Sequence, residues 1–284
     1  MKNILKRSFT GLLYICVIIG AIYGGFFWFW ALTVLFGVLG INEFNRISNK
    51  GHYSNTTALL DIFGSIILIS AGSIITAKGS LPGFLGTWDL STFLFCYLIY
   101  LLARLVAQLY VQDGDALAHF AHSFMGQLYV AFPMSLLAWL YNLTSPVFVL
   151  SVFILIWLSD TGAFCVGSLL GRHKLFERIS PKKSWEGFFG GLLFCLVASV
   201  VFPLCAPESF VGLNFWRMLG LGAVVCVFGT WGDLVESLIK RTLGVKDSGN
   251  ILPGHGGILD RIDSLLLVVP AVMAYMLALA VLTY

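Results

Sequence analysis

The residues best suited to chemistry lie in one polar stretch, residues 233–263, which holds five carboxylates, four cations and a glycine-rich turn. Asp233 and Glu236 are separated by about one helical turn, and Asp260 and Asp263 have the same spacing. Carboxylates at this spacing share one face of a helix, and their oxygens suit Mg²⁺, which also retains water and phosphate ligands. The stretch therefore predicts a metal-assisted site for phosphoryl or nucleotidyl transfer.

The cations and glycines of the same stretch suit a polyphosphate ligand. Lys240 and Arg241 follow the first carboxylate pair, and the turn Pro253-Gly-His255-Gly-Gly leads into the last apolar segment. Glycines let backbone N–H groups approach phosphate closely, and a helix N-terminus favours anions. The alternative is an ordinary interfacial loop whose charges are solvated and paired with one another. That alternative gives no reason for five carboxylates in one loop.

A second polar region begins inside an apolar segment at Asp160 and continues through residues 171–184. An intramembrane carboxylate is costly, so Asp160 is a functional candidate, although it could also be a buried partner of Arg104 or of a hydroxyl. Ser180-Pro-Lys-Lys-Ser184 places hydroxyls around two lysines just before a helix, which suits a lipid phosphate or a triphosphate. The alternative for this segment is membrane anchoring by positive charge alone.

Two histidines, His119 and His122, stand three residues apart near Asp113 and Asp115. They could bind a metal ion, but we favour the wet face of an amphipathic helix, residues 112–122, lying along the membrane surface. Glu43 and Asp61 are interpreted as boundary or helix-packing residues. The six cysteines are spread singly and are interpreted as apolar packing residues.

The composition places these residues in a membrane protein. Hydrophobic residues make up 58% of the 284 residues, charged residues make up 11%, and the mean hydropathy is +0.91. Soluble domains carry about 25% charged residues, so lipid must be the solvent for much of this chain. The net charge is only +3, and no Lys/Arg run is interleaved with aromatic residues as in a nucleic-acid groove. We therefore expect a lipid bilayer as partner and no nucleic acid.

The apolar segments predict an all-α, polytopic integral membrane protein with about nine transmembrane helices. The segment 11–41 is too long for one helix, and Gly24-Gly25 is expected to divide it. The other predicted spans are 58–77, 90–111, 124–141, 146–170, 185–204, 215–232 and 264–282. We predict an N-terminal region, residues 1–150, with about five helices. A catalytic region, residues 151–284, is predicted to carry the loops 171–184 and 233–263.

The distribution of basic residues predicts the orientation in the membrane. With the N-terminus in the cytoplasm, loop cations concentrate on the cytoplasmic side, leaving Lys78 and Arg217 opposite. The cytoplasmic cations are Lys2, Lys6, Arg7, Arg46, Lys50, Arg172, Lys174, Arg178, Lys182, Lys183, Lys240, Arg241, Lys246 and Arg261. Both polar loops then face the cytoplasm and can build one polar cavity. GxxxG spacings such as Gly187/Gly191 are compatible with helix contacts and a homodimer.

The charged motifs resemble one family closely. Ser237-Leu-Ile-Lys240-Arg241, Lys246-Asp247 and Pro253-Gly-His-Gly-Gly-Ile-Leu-Asp260-Arg261-Ile-Asp263 resemble the signature of the phosphatidate cytidylyltransferases. Asp160-Thr-Gly-Ala and the segment 180–187 are similar to the same family. The resemblance spans essentially the whole chain. It implies a Mg²⁺-dependent enzyme of the bacterial inner membrane that joins CTP to phosphatidate, making CDP-diacylglycerol and pyrophosphate.

The resemblance also implies roles for the site residues. Asp233 and Asp263 would hold the metal, with Asp260 or Asp247 assisting, and His255 would donate a hydrogen bond. The residues expected to take part in catalysis are Asp233, Asp260, Asp263, Lys240 and Arg241. The residues expected to bind CTP and phosphatidate are Ser180, Lys182, Lys183, Ser184, Ser237, Lys246, Asp247, His255, Gly256, Gly257 and Arg261.

Two other functions were compared with this one. A CDP-alcohol phosphotransferase would show DGxxAR followed by GxxxDxxxD, and the sequence contains neither. A transporter often shows repeated halves with broken helices at matching positions. Here the ionisable residues concentrate after Asp160, so the two halves differ, which favours the enzyme.

Overall fold

The computed structural model describes residues 2–50, 54–75, 89–112, 114–249, 251 and 256–281. These residues form helices and one short antiparallel hairpin. The helices are α1 (Lys2–Tyr23), α2 (Phe26–Ser48), α3 (Asn55–Ile74), α4 (Leu90–Gln108), α5 (Ala116–Gly126), α6 (Phe132–Leu143), α7 (Pro146–Leu170), α8 (Trp185–Cys205), α9 (Phe215–Thr242) and α10 (Leu259–Val281). The strands are β1 (Lys174–Phe176) and β2 (Ser180–Ser184). A π-helical turn, Gln127–Ala131, joins α5 to α6, and a 3₁₀ helix, Pro207–Phe210, follows α8.

Eight helical segments of the described part are long and apolar enough to cross a membrane. One of them, Ala116–Leu143, comprises α5, the π-helical turn and α6. On α4, Leu94, Phe95 and Leu102 are each more than half exposed. A face of this kind requires a hydrocarbon solvent, and helices satisfy their own backbone hydrogen bonds within it. The prediction of a helical, polytopic membrane protein is confirmed.

The predicted division at Gly24-Gly25 is confirmed. Gly25 has φ +96° and precedes the first residue of α2, a conformation that a side chain would strain. The polar stretch after residue 232 differs from the expected loop because its first ten residues continue α9 to Thr242. Asp233 and Arg241 are therefore helical residues. Within this extension Glu236 and Lys240 form an i,i+4 ion pair, and Ser237 donates to Asp233, which supports the helix past the apolar segment.

The hairpin between α7 and α8 was not predicted. Lys174 pairs with Ser184, and Phe176 pairs with Ser180. Strands of three and five residues carry too little alternation to be predicted from the sequence. The hairpin is joined to α8 by Glu186, whose carboxylate accepts the backbone N–H groups of Arg172 and His173 at 3.1 to 3.2 Å.

The prediction of a wet face for His119 is wrong. The Asp115 side chain accepts backbone N–H groups at the start of α5, and His119 on that helix is only 8% exposed. Its Nδ1 lies 3.1 Å from Gln108 Nε2 on α4. The spacing of the two histidines resembles that of a surface helix, but His119 contacts Gln108 and His122 contacts Asn49, with Nδ1 of His122 2.9 Å from Asn49 Oδ1. Asp113, Lys78 and His255 lie outside the described residues.

The chain divides into two compact units. The first comprises Met1–Leu143 and Asp247–Ile262, and its core includes the stacked rings of Phe29 and Tyr141. The second comprises Thr144–Lys246 and Asp263–Tyr284. The predicted regions 1–150 and 151–284 remain a prediction.

The second unit is built around the closely packed pair α7 and α8. A Cβ atom at Gly187 would lie 2.9 Å from the carbonyl oxygen of Ala163 and 3.3 Å from Cα of Gly167. At Gly191 it would lie 2.7 Å from the carbonyl oxygen of Ser159. Two of the GxxxG spacings, Gly167/Gly171 and Gly187/Gly191, thus serve this contact within the chain.

Candidate active site

In the second unit, Asp233 is the carboxylate joined to the hairpin. Its Oδ2 lies 2.6 Å from Nζ of Lys183 on β2, and its Oδ1 accepts the hydroxyl of Ser237 at 3.3 Å. Lys183 also donates to the carbonyl oxygen of Thr230, 3.4 Å away. Both side chains of the ion pair are about one-quarter to one-third exposed, so the pair remains open to a ligand. The structure thereby brings together three residues that the sequence selected separately.

Asp263 lies beside this group because α9 and α10 approach closely. A Cβ atom at Gly232 would lie 2.7 Å from the carbonyl oxygen of Asp263 and 3.0 Å from Cα of Ser264. Only glycine permits this approach. The Asp263 carboxylate accepts the backbone N–H of Ser264 at 2.6 Å. Asp233, Glu236 and Asp160 are all near enough to Asp263 to act on its charge.

Two cations expected to bind phosphate occupy the last turn of α9. Lys240 is largely buried, and its Nζ lies 2.8 Å from Oε2 of Glu236, which is 1% exposed. Arg241 is exposed, as is Lys246 beyond the helix. Lys240 thus compensates the charge of one carboxylate of the cluster, whereas the other two cations face outward.

The remaining predicted residues of the hairpin have different environments. Ser184 is buried and caps α8, since its Oγ accepts the N–H of Gly187 at 3.1 Å. Lys182 is exposed, and Ser180 is half-buried. Asp160 lies on α7 as expected, with its side chain exposed. Ser184 is thus a helix cap, a role that its position before an apolar segment also fits.

In the first unit, Asp260 organises the glycine-rich loop. Its Oδ2 accepts the N–H of Gly257 at 2.8 Å and both the N–H and the hydroxyl of Ser248 at 3.0 Å. Gly256 has φ +79°, and a Cβ atom there would lie 2.5 Å from the same oxygen. Asp260, which was predicted to assist in binding the metal, therefore accepts hydrogen bonds from the glycine-rich loop and from Ser248.

Glu43 has a matching role that the sequence did not reveal. It is 3% exposed, and its carboxylate accepts the N–H groups of Ile258 and Leu259 at 3.0 and 2.9 Å. It shares the single hydroxyl proton of Ser248 with Asp260, since the hydroxyl oxygen lies 3.0 Å from each carboxylate. A Cβ atom at Gly257 would collide with Glu43 Oε2. The backbone donors expected to hold phosphate thus hold carboxylates here. The available signal was a lone carboxylate near the end of an apolar helix, where burial is costly.

The other residues of this loop are exposed or lie outside the described residues. Asp247 and Arg261 are exposed, and the carbonyl oxygen of Arg261 accepts the hydroxyl of Tyr14 at 3.0 Å. His255 lies outside the described residues. Gly256 and Gly257 enter the site through their backbone only.

A buried polar cluster in the first unit identifies the partner of Arg104. Arg104 and Asp61 are both fully buried, with Nε and Oδ1 3.2 Å apart. Asp61 also accepts the hydroxyls of Tyr100 and Ser123. Arg104 donates to Gln108 Oε1 at 3.0 Å. This cluster ties α3, α4 and α5 together, so the packing interpretation of Asp61 fits the structure.

Comparison with known proteins places the chain in a family. The model of the cytidylyltransferase family matches residues 5–279. The chain belongs to the cytidylyltransferase family. A phosphatidate cytidylyltransferase of Staphylococcus epidermidis (strain ATCC 35984) is 53% identical over 125 residues, which are 43% of this chain and 46% of that protein. The phosphatidate cytidylyltransferase of Staphylococcus aureus (strain COL) gives the same values. That of Staphylococcus haemolyticus (strain JCSC1435) is 50% identical over 123 residues, with the same coverage.

The family resemblance inferred from the charged motifs is therefore confirmed. The chain spans less than half the length of these curated relatives in the aligned segments. In this member of the cytidylyltransferase family, the described residues contain no group of three or more His, Cys, Asp or Glu side chains placed to hold a metal by themselves.

Proposed function

We propose that the protein transfers a cytidylyl group from CTP to phosphatidate, producing CDP-diacylglycerol and pyrophosphate. The proposal rests on family membership together with one observation. In the second unit, Asp233, Glu236 and Asp160 are near enough to Asp263 to act on its charge, and we call these four residues the carboxylate cluster. Such a concentration of negative charge within apolar helices is costly unless cations compensate it. A divalent cation that arrives with the triphosphate supplies that compensation.

The residues of this cluster fit Mg²⁺. Asp233 and Asp263 offer hard oxygen ligands, and Lys183 Nζ already places a positive charge 2.6 Å from Asp233. Mg²⁺ is commonly held by one or two carboxylates plus waters and substrate phosphates, so a third protein carboxylate is unnecessary. We propose Asp233 and Asp263 as its ligands. When bound, the ion would neutralise charge on the triphosphate.

The reaction requires little proton transfer from the protein. A phosphate oxygen of phosphatidate forms a bond to the α-phosphorus of CTP while the bond to the β-phosphate oxygen breaks. The nucleophile is already anionic, so a general base is not needed. Lys183 and Lys240 would stabilise the charge on the triphosphate, and the exposed Arg241 would contact a phosphate from outside the cluster. Each cation stabilises phosphate charge most strongly where water is excluded.

We assign the loop residues to positioning. Asp260 binds Ser248 and Gly257, so we propose that it sets the loop conformation and that any contact with metal is secondary. Substrate contacts are proposed for Ser180, Lys182, Ser237, Lys246, Asp247, His255 and Arg261. Ser184 would act through the cap of α8.

The membrane setting follows from the family and from the charge distribution. We propose a bacterial cytoplasmic membrane, an N-terminus inside, about nine spans and a site that faces the cytoplasm. The apolar part of α1, Thr10–Tyr23, is shorter than the eight candidate segments and is not one of them. In this proposal α1 supplies the ninth span. A homodimer remains part of the proposal.

The test measures transfer of label from CTP into lipid. Purified protein in detergent is incubated with phosphatidate, Mg²⁺ and CTP labelled at the α-phosphate, and the chloroform phase is counted. We expect label that depends on Mg²⁺ and disappears in Asp263→Asn. Asp115→Asn is the matched control, because asparagine caps a helix as aspartate does and the residue lies outside the cluster.

Two results would contradict the proposal. Full incorporation by Asp263→Asn would exclude the assigned ligand. No incorporation by folded wild-type protein, with several phosphatidate species, would exclude the substrate. Other phospholipid and polyprenyl-phosphate acceptors would then be assayed with the same nucleotide.

A further inference from the structure

The hairpin and the adjoining ends of α7 and α8 form a surface that the proposed reaction leaves unexplained. Both helices are long and apolar enough to span a membrane, so the residues joining them must lie at its surface. Leu169 and Leu170 at the end of α7 are 82% and 63% exposed, and Phe189 on α8 is 58% exposed. The hairpin therefore stands directly beside lipid-facing apolar side chains.

An open cleft of about 750 Å³ lies at this position. Its lining residues are Arg172, His173, Lys174, Glu177, Trp185, Glu186 and Phe189. Two cations thus share the cleft with two aromatic rings, Trp185 and Phe189. A volume of this size is in the range of small-molecule sites. The combination of charge with exposed aromatic surface suits a ligand that has an ionic head and an apolar tail.

The charges of the hairpin indicate that the ionic head of this ligand is negatively charged. Between residues 171 and 186 there are five cations and two carboxylates. Glu186 is occupied, since it accepts two backbone N–H groups and lies 2.6 Å from Nδ1 of His173. Lys183 is paired with Asp233. Among the described residues, no carboxylate lies within ion-pair distance of Arg172, Lys174, Arg178 or Lys182, all of which are exposed.

We propose that this cleft binds the phosphodiester headgroup of an anionic glycerophospholipid from the surrounding bilayer, as a lipid distinct from the phosphatidate that reacts. Arg172 and Lys174 contact the phosphate, and Trp185 and Phe189 contact the glycerol and the first part of the acyl chains. Tryptophan favours the interface, and a basic residue near the membrane surface attracts anionic lipid. Glu177 lines the same cleft and disfavours a second negative charge deep within it, so the phosphate should sit on the side of the two cations.

Binding can be measured through the fluorescence of Trp185. The protein is reconstituted in phosphatidylcholine vesicles with a minor fraction of brominated phosphatidylglycerol or of brominated phosphatidylcholine, whose bromine atoms quench nearby tryptophan. The difference between wild type and Trp185→Phe isolates the signal of this residue from the other tryptophans. We expect an apparent affinity for the anionic lipid on the order of tenfold higher than for the zwitterionic one.

Variants separate a built site from general charge attraction. The double variant Arg172→Gln/Lys174→Gln should lose the preference, and Arg172→Lys/Lys174→Arg should keep it. Arg46→Gln/Arg178→Gln is the matched control, since it removes the same charge from exposed residues that do not line the cleft. The glutamine variant leaves the backbone N–H that binds Glu186 intact, and an unchanged thermal midpoint checks its folding.

The proposal is overturned by equal quenching from the two brominated lipids. It is also overturned if the control variant loses the preference as fully as Arg172→Gln/Lys174→Gln does, since the attraction would then follow net charge. Because the assay reads lipid binding and needs no CTP, its result is independent of the proposed reaction.

Discussion

Carboxylates of the two units are stabilised in opposite ways. In the first unit, Glu43 and Asp260 each accept two backbone N–H groups and share the hydroxyl of Ser248, all from the same loop and helix start. In the second unit, Asp233 and Asp263 lie among other carboxylates, with Lys183 as the neighbouring cation. Protein donors that surround an acid make it a structural element. Acids placed near one another repel each other, and a bound cationic ligand can relieve that repulsion.

The largest effect that tests this difference between the two units is expected at Asp233. We expect Asp233→Asn to lower kcat on the order of 10³-fold, because the variant loses a proposed metal ligand and a charge that balances Lys183. The midpoint of thermal unfolding should stay constant or rise, since crowding of negative charge is relieved. Both are measured on the same purified sample with the labelled-CTP assay. A variant that unfolds early and keeps its specific activity would make Asp233 a structural residue instead.

The opposite behaviour is expected at the buried pair of the first unit. Arg104→Gln should lower the free energy of unfolding by about 3 kcal/mol, because it leaves the Asp61 charge buried without its cation. The measurement is unfolding in a detergent mixture, followed by circular dichroism. Arg217→Gln serves as the control, since Arg217 is an accessible arginine on α9. Equal stability of the two variants would mean that Asp61 is protonated or satisfied by its hydroxyl partners alone.

The substitution Glu43→Gln is expected to have an effect of intermediate size, on both stability and activity. Glu43→Gln keeps the side-chain shape but replaces one acceptor oxygen with a donor that faces backbone N–H or the Ser248 hydroxyl. We expect a loss of about 2 kcal/mol in the free energy of unfolding and a kcat about tenfold lower, because the loop shifts. Ser248→Ala, which removes a hydroxyl and keeps the backbone bonds, should have a smaller effect. Full activity in Glu43→Gln would exclude a positioning role for the loop.

Sequence patterns predicted the fold better than they predicted the use of each acid. Long apolar segments and the pair Gly24-Gly25 were sufficient to place helices, because each spanning helix must satisfy its own backbone. The motif around Asp233 and Asp263 was sufficient to identify the family. The hydrogen bonds of Glu43 to residues more than two hundred positions away depend on tertiary packing, which periodicity does not encode. The same holds for His119, whose buried environment comes from another helix.

The smallest predicted effect distinguishes a helix cap from a substrate ligand at Ser184. Ser184→Ala removes the acceptor for the Gly187 N–H and should cost about 1 kcal/mol of stability. Since the side chain is buried against α8, the KM for CTP should change by less than about twofold, a difference below 0.5 kcal/mol. Ser184→Thr, which can cap the helix, should retain both values. A large rise in KM without loss of stability would instead place this hydroxyl in contact with the nucleotide. The substrate-binding site would then extend to the start of α8.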